Sequence, residues 1–168
     1  ESENDIQRVK NRIVAETLDI LDVIYKDKYT SDKSYLKELT EKTVELAHSD
    51  ISDVDAIRQL GEGWVAEETW AIALYCAIRH IDSVEDAIIA SVNHDGDSDS
   101  TGSVCGNIMG AIYGYEHIKE RNIFCPAGKN FEDTLELSEI ILALADDLST
   151  GCIISEYDPI DTPEKRQW

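Results

Sequence analysis

Proline is scarce in this chain of 168 residues, with three in all, and nine glycines accompany them. That composition leaves little room for collagen-like repeats or long disordered segments. Basic residues are short too: 15 Lys and Arg stand against 35 Asp and Glu, a formal charge of −20 spread along the chain. A polyphosphate duplex needs clustered Lys and Arg to release its counterions, so nucleic acid is not expected as a partner. An anionic membrane surface is disfavoured on the same ground. No apolar run is long enough to span a bilayer, no signal peptide opens the chain, and no Asn-x-Ser/Thr site occurs. Cys76, Cys105, Cys125 and Cys152 form no CxxC pair and have no His at ligand spacing, which removes support for a zinc or redox centre. Three of them sit in apolar segments, where a buried free thiol behaves as a small hydrophobe. Their reduced state fits a cytoplasmic protein, the expected location.

What is present is helical spacing. An apolar fraction of 42% is ordinary for a globular protein, and a chain of this length buries about 70% of the surface it exposes when unfolded. From Ile6, the residues Val9, Ile13, Leu18, Leu21 and Ile24 predict an amphipathic helix to about Tyr25. A second pattern starts at Ser34, a predicted N-cap, and a third runs over 53–60 until Gly61 and Gly63 interrupt it. Residues 64–80, WVAEETWAIALYCAIRH, are apolar nearly all round yet too short to cross a bilayer, which predicts a helix in the middle of the core. Glu67 and Glu68 fall in its first turn, where the helix dipole favours carboxylates by roughly 0.3–1 kcal/mol each. Glu68 is kept as a candidate that supports a site from behind. Ser83-Val84-Glu85-Asp86 resembles a capping box for a helix that ends at Asn93. Further helical segments are predicted over 102–120 and 131–149, and no strand alternation persists. The expected fold is all-α, with a single helical domain over 1–150 and a polar tail over 151–168.

Residues 93–106, NHDGDSDSTGSVCG, concentrate Asp95, Asp97 and Asp99 ahead of Gly102, Gly106, Gly110 and Gly114. Glycine costs a helix about 0.5–1 kcal/mol per residue, so four on one stripe predict close packing against that face, most simply by a neighbouring backbone. An EF-hand fits the three aspartates but fails afterwards, with Ser100 where its glycine belongs and Gly106 where its bidentate glutamate belongs. A plain N-cap by Asp99, Ser100 or Thr101 uses one residue only. Asp97, Asp99 and Ser100 offer two carboxylates and a hydroxyl at i, i+2 and i+3, hard oxygens that suit magnesium, manganese or calcium. Spacing alone leaves capping and metal binding both open. His94 adjoins the loop without an assigned role, and His48, His80 and His117 sit near helix ends, where a cation meets the dipole favourably.

Two stretches, LGEGWVAEETWAIALYCA at 60–77 and NHDGDSDSTGSVCGNIMGAIYG at 93–114, resemble the C-terminal half of the ADP-ribosylglycohydrolase family. With the helix after Phe131, similar to the family's closing leucine-rich helix, the resemblance covers residues 50–150. It implies an orthogonal multi-helix bundle with a centre of two magnesium ions, manganese being an alternative. That centre cleaves the glycosidic bond between ADP-ribose and a modified protein side chain. The family's Gly-Asp-Ser/Thr-Asp-Ser/Thr motif matches Gly96-Asp97-Ser98-Asp99-Ser100, so the resemblance implies Asp97, Asp99 and Ser100 as metal ligands. Asp95 falls where many relatives carry glycine. The expected partner is an ADP-ribosylated protein or another ADP-ribose conjugate.

The family's Thr-Asp-Asp motif, glycine-rich entry segment and acidic catalytic residue find no match before Ile51, since Thr30-Ser31-Asp32 is a poor substitute. The chain is therefore expected to be the second half of such an enzyme, with the catalytic residue in an N-terminal half that would also be its partner. Half a metal centre is expected to bind weakly and not to turn over. Two other readings stand beside the hydrolase. One is a non-catalytic protein on the same fold, as the jellyfish lens crystallins that resemble this family illustrate. The other is an acidic helical module that binds divalent cations or a partner. Intact Asp97, Asp99 and Ser100 favour the hydrolase.

Overall fold

A computed structural model describes residues 3–23, 30–121 and 125–149. Every regular element among them is a helix: α1 (Glu3–Val23), α2 (Thr30–Ala47), α3 (Asp53–Leu60), α4 (Ala66–Arg79), α5 (Val84–Val92), α6 (Ser98–Tyr113), α7 (Tyr115–Arg121), α8 (Phe131–Thr134) and α9 (Ser138–Ser149). The all-α expectation holds. No helix of the described residues is long and apolar enough to cross a membrane. The tail at 151–168, with Cys152, lies outside the described residues. The chain forms two compact units that divide between Ile118 and Lys119.

The first unit is built around α4. Residues Ala71 to Ile78 are each at most 1% exposed, as their all-round apolar character predicts, and α2, α3, α5 and α6 pack around them. Each large aliphatic side chain buried there contributes about 1.5–3 kcal/mol. Two polar groups here share one carboxylate: Tyr75 donates its hydroxyl to Asp53 Oδ1 at 2.7 Å, and His80 Nε2 meets Asp53 Oδ2 at 3.0 Å. These bonds fasten the start of α3 to the last turns of α4. Cys76 and Cys105 are buried free thiols, and burial pushes Cys105 up to about 11. Both act as the small hydrophobes expected.

Several helix boundaries follow local signals. Ser52 accepts the Asp55 N–H at 3.2 Å to start α3, Gly61 ends it, and Ser83 accepts the Asp86 N–H at 3.2 Å to start α5. Ser34, however, is not an N-cap. α2 begins earlier, at Thr30, because Ser31-Asp32-Lys33 contains neither glycine nor proline to stop the helix from extending.

The glycine ladder is also not one uniform stripe. A Cβ at Gly102 would stand 2.6 Å from Val92 Cγ1, and one at Gly106 would make an ordinary 3.7 Å contact with Ile88. One at Gly110 would meet nothing within 4 Å. Gly114 breaks the segment into α6 and α7 with φ of 79°. Close packing accounts for the first glycine, against a side chain of α5 instead of a backbone, and a backbone turn accounts for the last.

In the second unit the single helix predicted over 131–149 is interrupted. α8 ends as the Leu135 N–H bonds to the Glu132 carbonyl, and Leu137 takes a left-handed φ of 57° before α9 begins. The break was hidden because Ile141, Leu144 and Leu148 keep helical spacing after it and no glycine or proline marks 131–138.

Candidate metal centre

The acidic motif opens α6. Asp97 is the N-cap residue, and its Oδ1 accepts the Ser100 N–H at 3.5 Å. That distance is at the edge of a hydrogen bond, so capping occupies one oxygen only weakly. The Asp97 carboxyl is held below the usual carboxylate range, first by hydrogen bonding with the Asp99 side chain and then by the Ser100 hydroxyl. Asp97 thus sits beside both Asp99 and Ser100, and the latter two line the same cleft. Asp95 is not part of this group. Its side chain is 92% exposed and faces Arg58, with Oδ2 at 3.5 Å from Nη2. Among the described residues, no three His, Cys, Asp or Glu side chains converge, so the locus is two carboxylates and a hydroxyl. Such a donor set suits a hard divalent cation.

Behind the motif lies a second loop. Gly61 and Gly63 have φ of 133° and 84°, a region open to glycine, and they turn the chain from α3 into α4. The Glu62 carbonyl accepts the Asp97 N–H at 2.8 Å. A Cβ at Gly96 would sit 1.8 Å from that same oxygen, so no residue larger than glycine fits there. Two side chains of α4 pin the loop. Glu68 Oε2 accepts the N–H groups of Glu62 and Gly63, each at 3.1 Å, and Thr69 donates its hydroxyl to the Gly63 carbonyl at 2.7 Å.

Thr101 and His94 complete the seam. Gly96 donates its N–H to His94 Nδ1 at 3.1 Å, which leaves Nε2 to donate to the Thr101 hydroxyl at 2.9 Å. That hydroxyl lies 2.7 Å from the Ser91 carbonyl and 3.0 Å from that of Asp97. His94 therefore buckles the end of α5 to the start of α6. Sequence reasoning singled out Asp97, Asp99 and Ser100; it named Gly96, His94 and Thr101 without foreseeing the contacts they make here. Gly96 carried a signal, as the glycine directly before the acidic pair; the others act through backbone atoms, which spacing does not reveal.

Clefts flank the seam. Asp99 and Ser100 line one of about 600 Å³ with Thr69, Trp70 and Ser103, and the Trp70 indole N–H is buried without a partner. Another, of about 660 Å³, is lined by Arg58, Trp64, Glu68, His94 and Asp95. Trp64 is 67% exposed, and its indole N–H donates to Glu62 Oε2 at 3.1 Å. Both volumes lie in the range of small-ligand sites.

Comparison with known proteins agrees with the family resemblance. The chain is 29% identical over 110 residues to the ADP-ribosylhydrolase ARH3 of Mus musculus, covering 59% of this chain and 29% of that protein. It is 28% identical over 97 residues to its counterpart from Bos taurus, covering 52% of this chain and 26% of that one. The match thus spans less than a third of the length of these curated relatives. No solved structure matches. The model of the family described as ADP-ribosylglycohydrolase matches residues 5–153, which extends the similarity well before residue 50. On that match, the chain belongs to the ADP-ribosylglycohydrolase family.

Proposed function

We propose that the chain contributes the C-terminal metal-binding motif to magnesium-dependent hydrolysis of the bond between ADP-ribose and a modified protein side chain. The observation that carries this reading is the placement of Asp97, Asp99 and Ser100 at the start of α6, where Asp97 Oδ1 accepts the Ser100 N–H and Asp99 and Ser100 line one cleft, in a member of this family. Two carboxylates so close repel one another unless a proton or a cation lies between them. The donor set therefore fits magnesium, with Asp97, Asp99 and Ser100 as its holders. When bound, the cation supplies positive charge that orients substrate oxygens and offsets the repulsion between a diphosphate and a chain of −20. The protein's own contribution is orientation. The N-terminus of α6 favours negative charge at the motif, and the Glu62 carbonyl fixes the backbone at Asp97. The wall formed by Thr69, Trp70 and Ser103 shapes the space beside Asp99 and Ser100. The catalytic acid is assigned to the N-terminal half of the family's sequence.

The test is release of free ADP-ribose from ADP-ribosylated arginine and serine substrates, with magnesium and with a chelator. It compares the full-length gene product that carries this chain with its Asp97→Ala variant. Magnesium-dependent release that Asp97→Ala reduces by ~100-fold or more is the expected result. No release from any conjugate by a folded protein moves the assignment to a non-catalytic member of the family.

A further inference from the structure

The proposed ligands are held from behind by a loop to which they do not belong. The Asp97 N–H reaches the Glu62 carbonyl, so the backbone at Asp97 depends on where residues 61–63 are fixed. Glu68, in the first turn of α4, fixes them by accepting the N–H groups of both Glu62 and Gly63 on one oxygen. Room for that carboxylate exists because residue 61 is glycine: a Cβ there would lie 2.3 Å from Glu68 Cδ. Residue 62 is thereby bonded on both sides, its N–H to Glu68 and its carbonyl to Asp97.

We propose that Glu68 is a positioning residue for the metal centre, acting through residue 62 to set the backbone and carboxylate direction of Asp97 without touching the ion. The inference rests on the hydrolase reading for the identity of the centre, and on hydrogen bonds alone for the positioning. A carboxylate suits the task because hydrogen bonds to an ionised acceptor are stronger than neutral ones. What the two N–H groups require is an oxygen at that reach. An amide oxygen in the same place can accept both, whereas a methyl group or a shorter acid cannot.

The experiment uses the full-length gene product that carries this chain and four variants of it, Glu68→Ala, Glu68→Asp, Glu68→Gln and Asp97→Ala. Manganese binding is measured by titration calorimetry, and exchange of individual amide hydrogens by NMR. Glu68→Ala is expected to weaken manganese binding ~10–100-fold, the usual range for partners that orient a ligand, and to speed exchange of the Asp97 amide. Glu68→Asp, one methylene short, is expected to behave like alanine and gives the same answer if the alanine variant does not fold. Glu68→Gln is expected to restore both readouts. An Asp97 amide as protected in Glu68→Ala and Glu68→Asp as in the parent overturns the positioning role, as does a glutamine variant as impaired as alanine. A full-length parent protein that binds no manganese overturns the metal reading alone, and exchange at Asp97 then decides the role of Glu68.

Discussion

The two ends of α6 carry the same sequence signal and use it differently. At the N-terminal end, Gly96 and Gly102 stand where any side chain would strike a neighbour, Glu62 in one case and Val92 in the other. Toward the C-terminal end, Gly110 faces open space and Gly114 serves a positive φ. Glycines recurring along one segment are therefore not one feature. Near the acidic motif they report crowding imposed by the site, and away from it either a backbone turn or nothing that packing requires.

Alanine at each position separates these causes, with stability read from denaturant or thermal unfolding. Gly96→Ala is expected to be the most damaging, at about 3 kcal/mol, because the obstacle is a backbone carbonyl that cannot rotate away. Gly102→Ala is expected to cost about 1–2 kcal/mol, since valine is stiff about χ1 and Val92 has little freedom to yield. Gly114→Ala follows at about 1 kcal/mol from the left-handed backbone alone. Gly110→Ala should change sign and stabilise by about 0.5–1 kcal/mol, because it adds helix propensity without a clash. A Gly110→Ala variant that destabilises, or a Gly96→Ala variant that is neutral, would erase the contrast between the two ends.

Much of this architecture was legible before any coordinates. Apolar residues all round 71–78 meant a central helix, and the acids Asp97 and Asp99 with Ser100 marked the motif. The early start of α2 was not legible because nothing in Ser31-Asp32-Lys33 forbids helix, so Ser34 competed with several equivalent starts. The break at Leu137 was silent because a leucine in left-handed backbone leaves no trace in hydrophobic spacing. The seam behind the site was hidden for a different reason. Its decisive contacts, Asp97 N–H to the Glu62 carbonyl and Glu68 to two N–H groups, involve backbone atoms that every residue possesses. Only the glycines that make room for them, Gly61 and Gly96, are visible as letters.

The contact between Gly96 and Glu62 bears on how this motif can be moved between proteins. Residues 96–100 transplanted onto another helix would carry the oxygens but leave behind the carbonyl that aligns Asp97 and the glutamate that steadies that carbonyl. The smallest portable part is two separate segments, 61–69 and 91–101, spliced in together at a fixed separation. A designer who copies one of them inherits the composition of the site without its alignment.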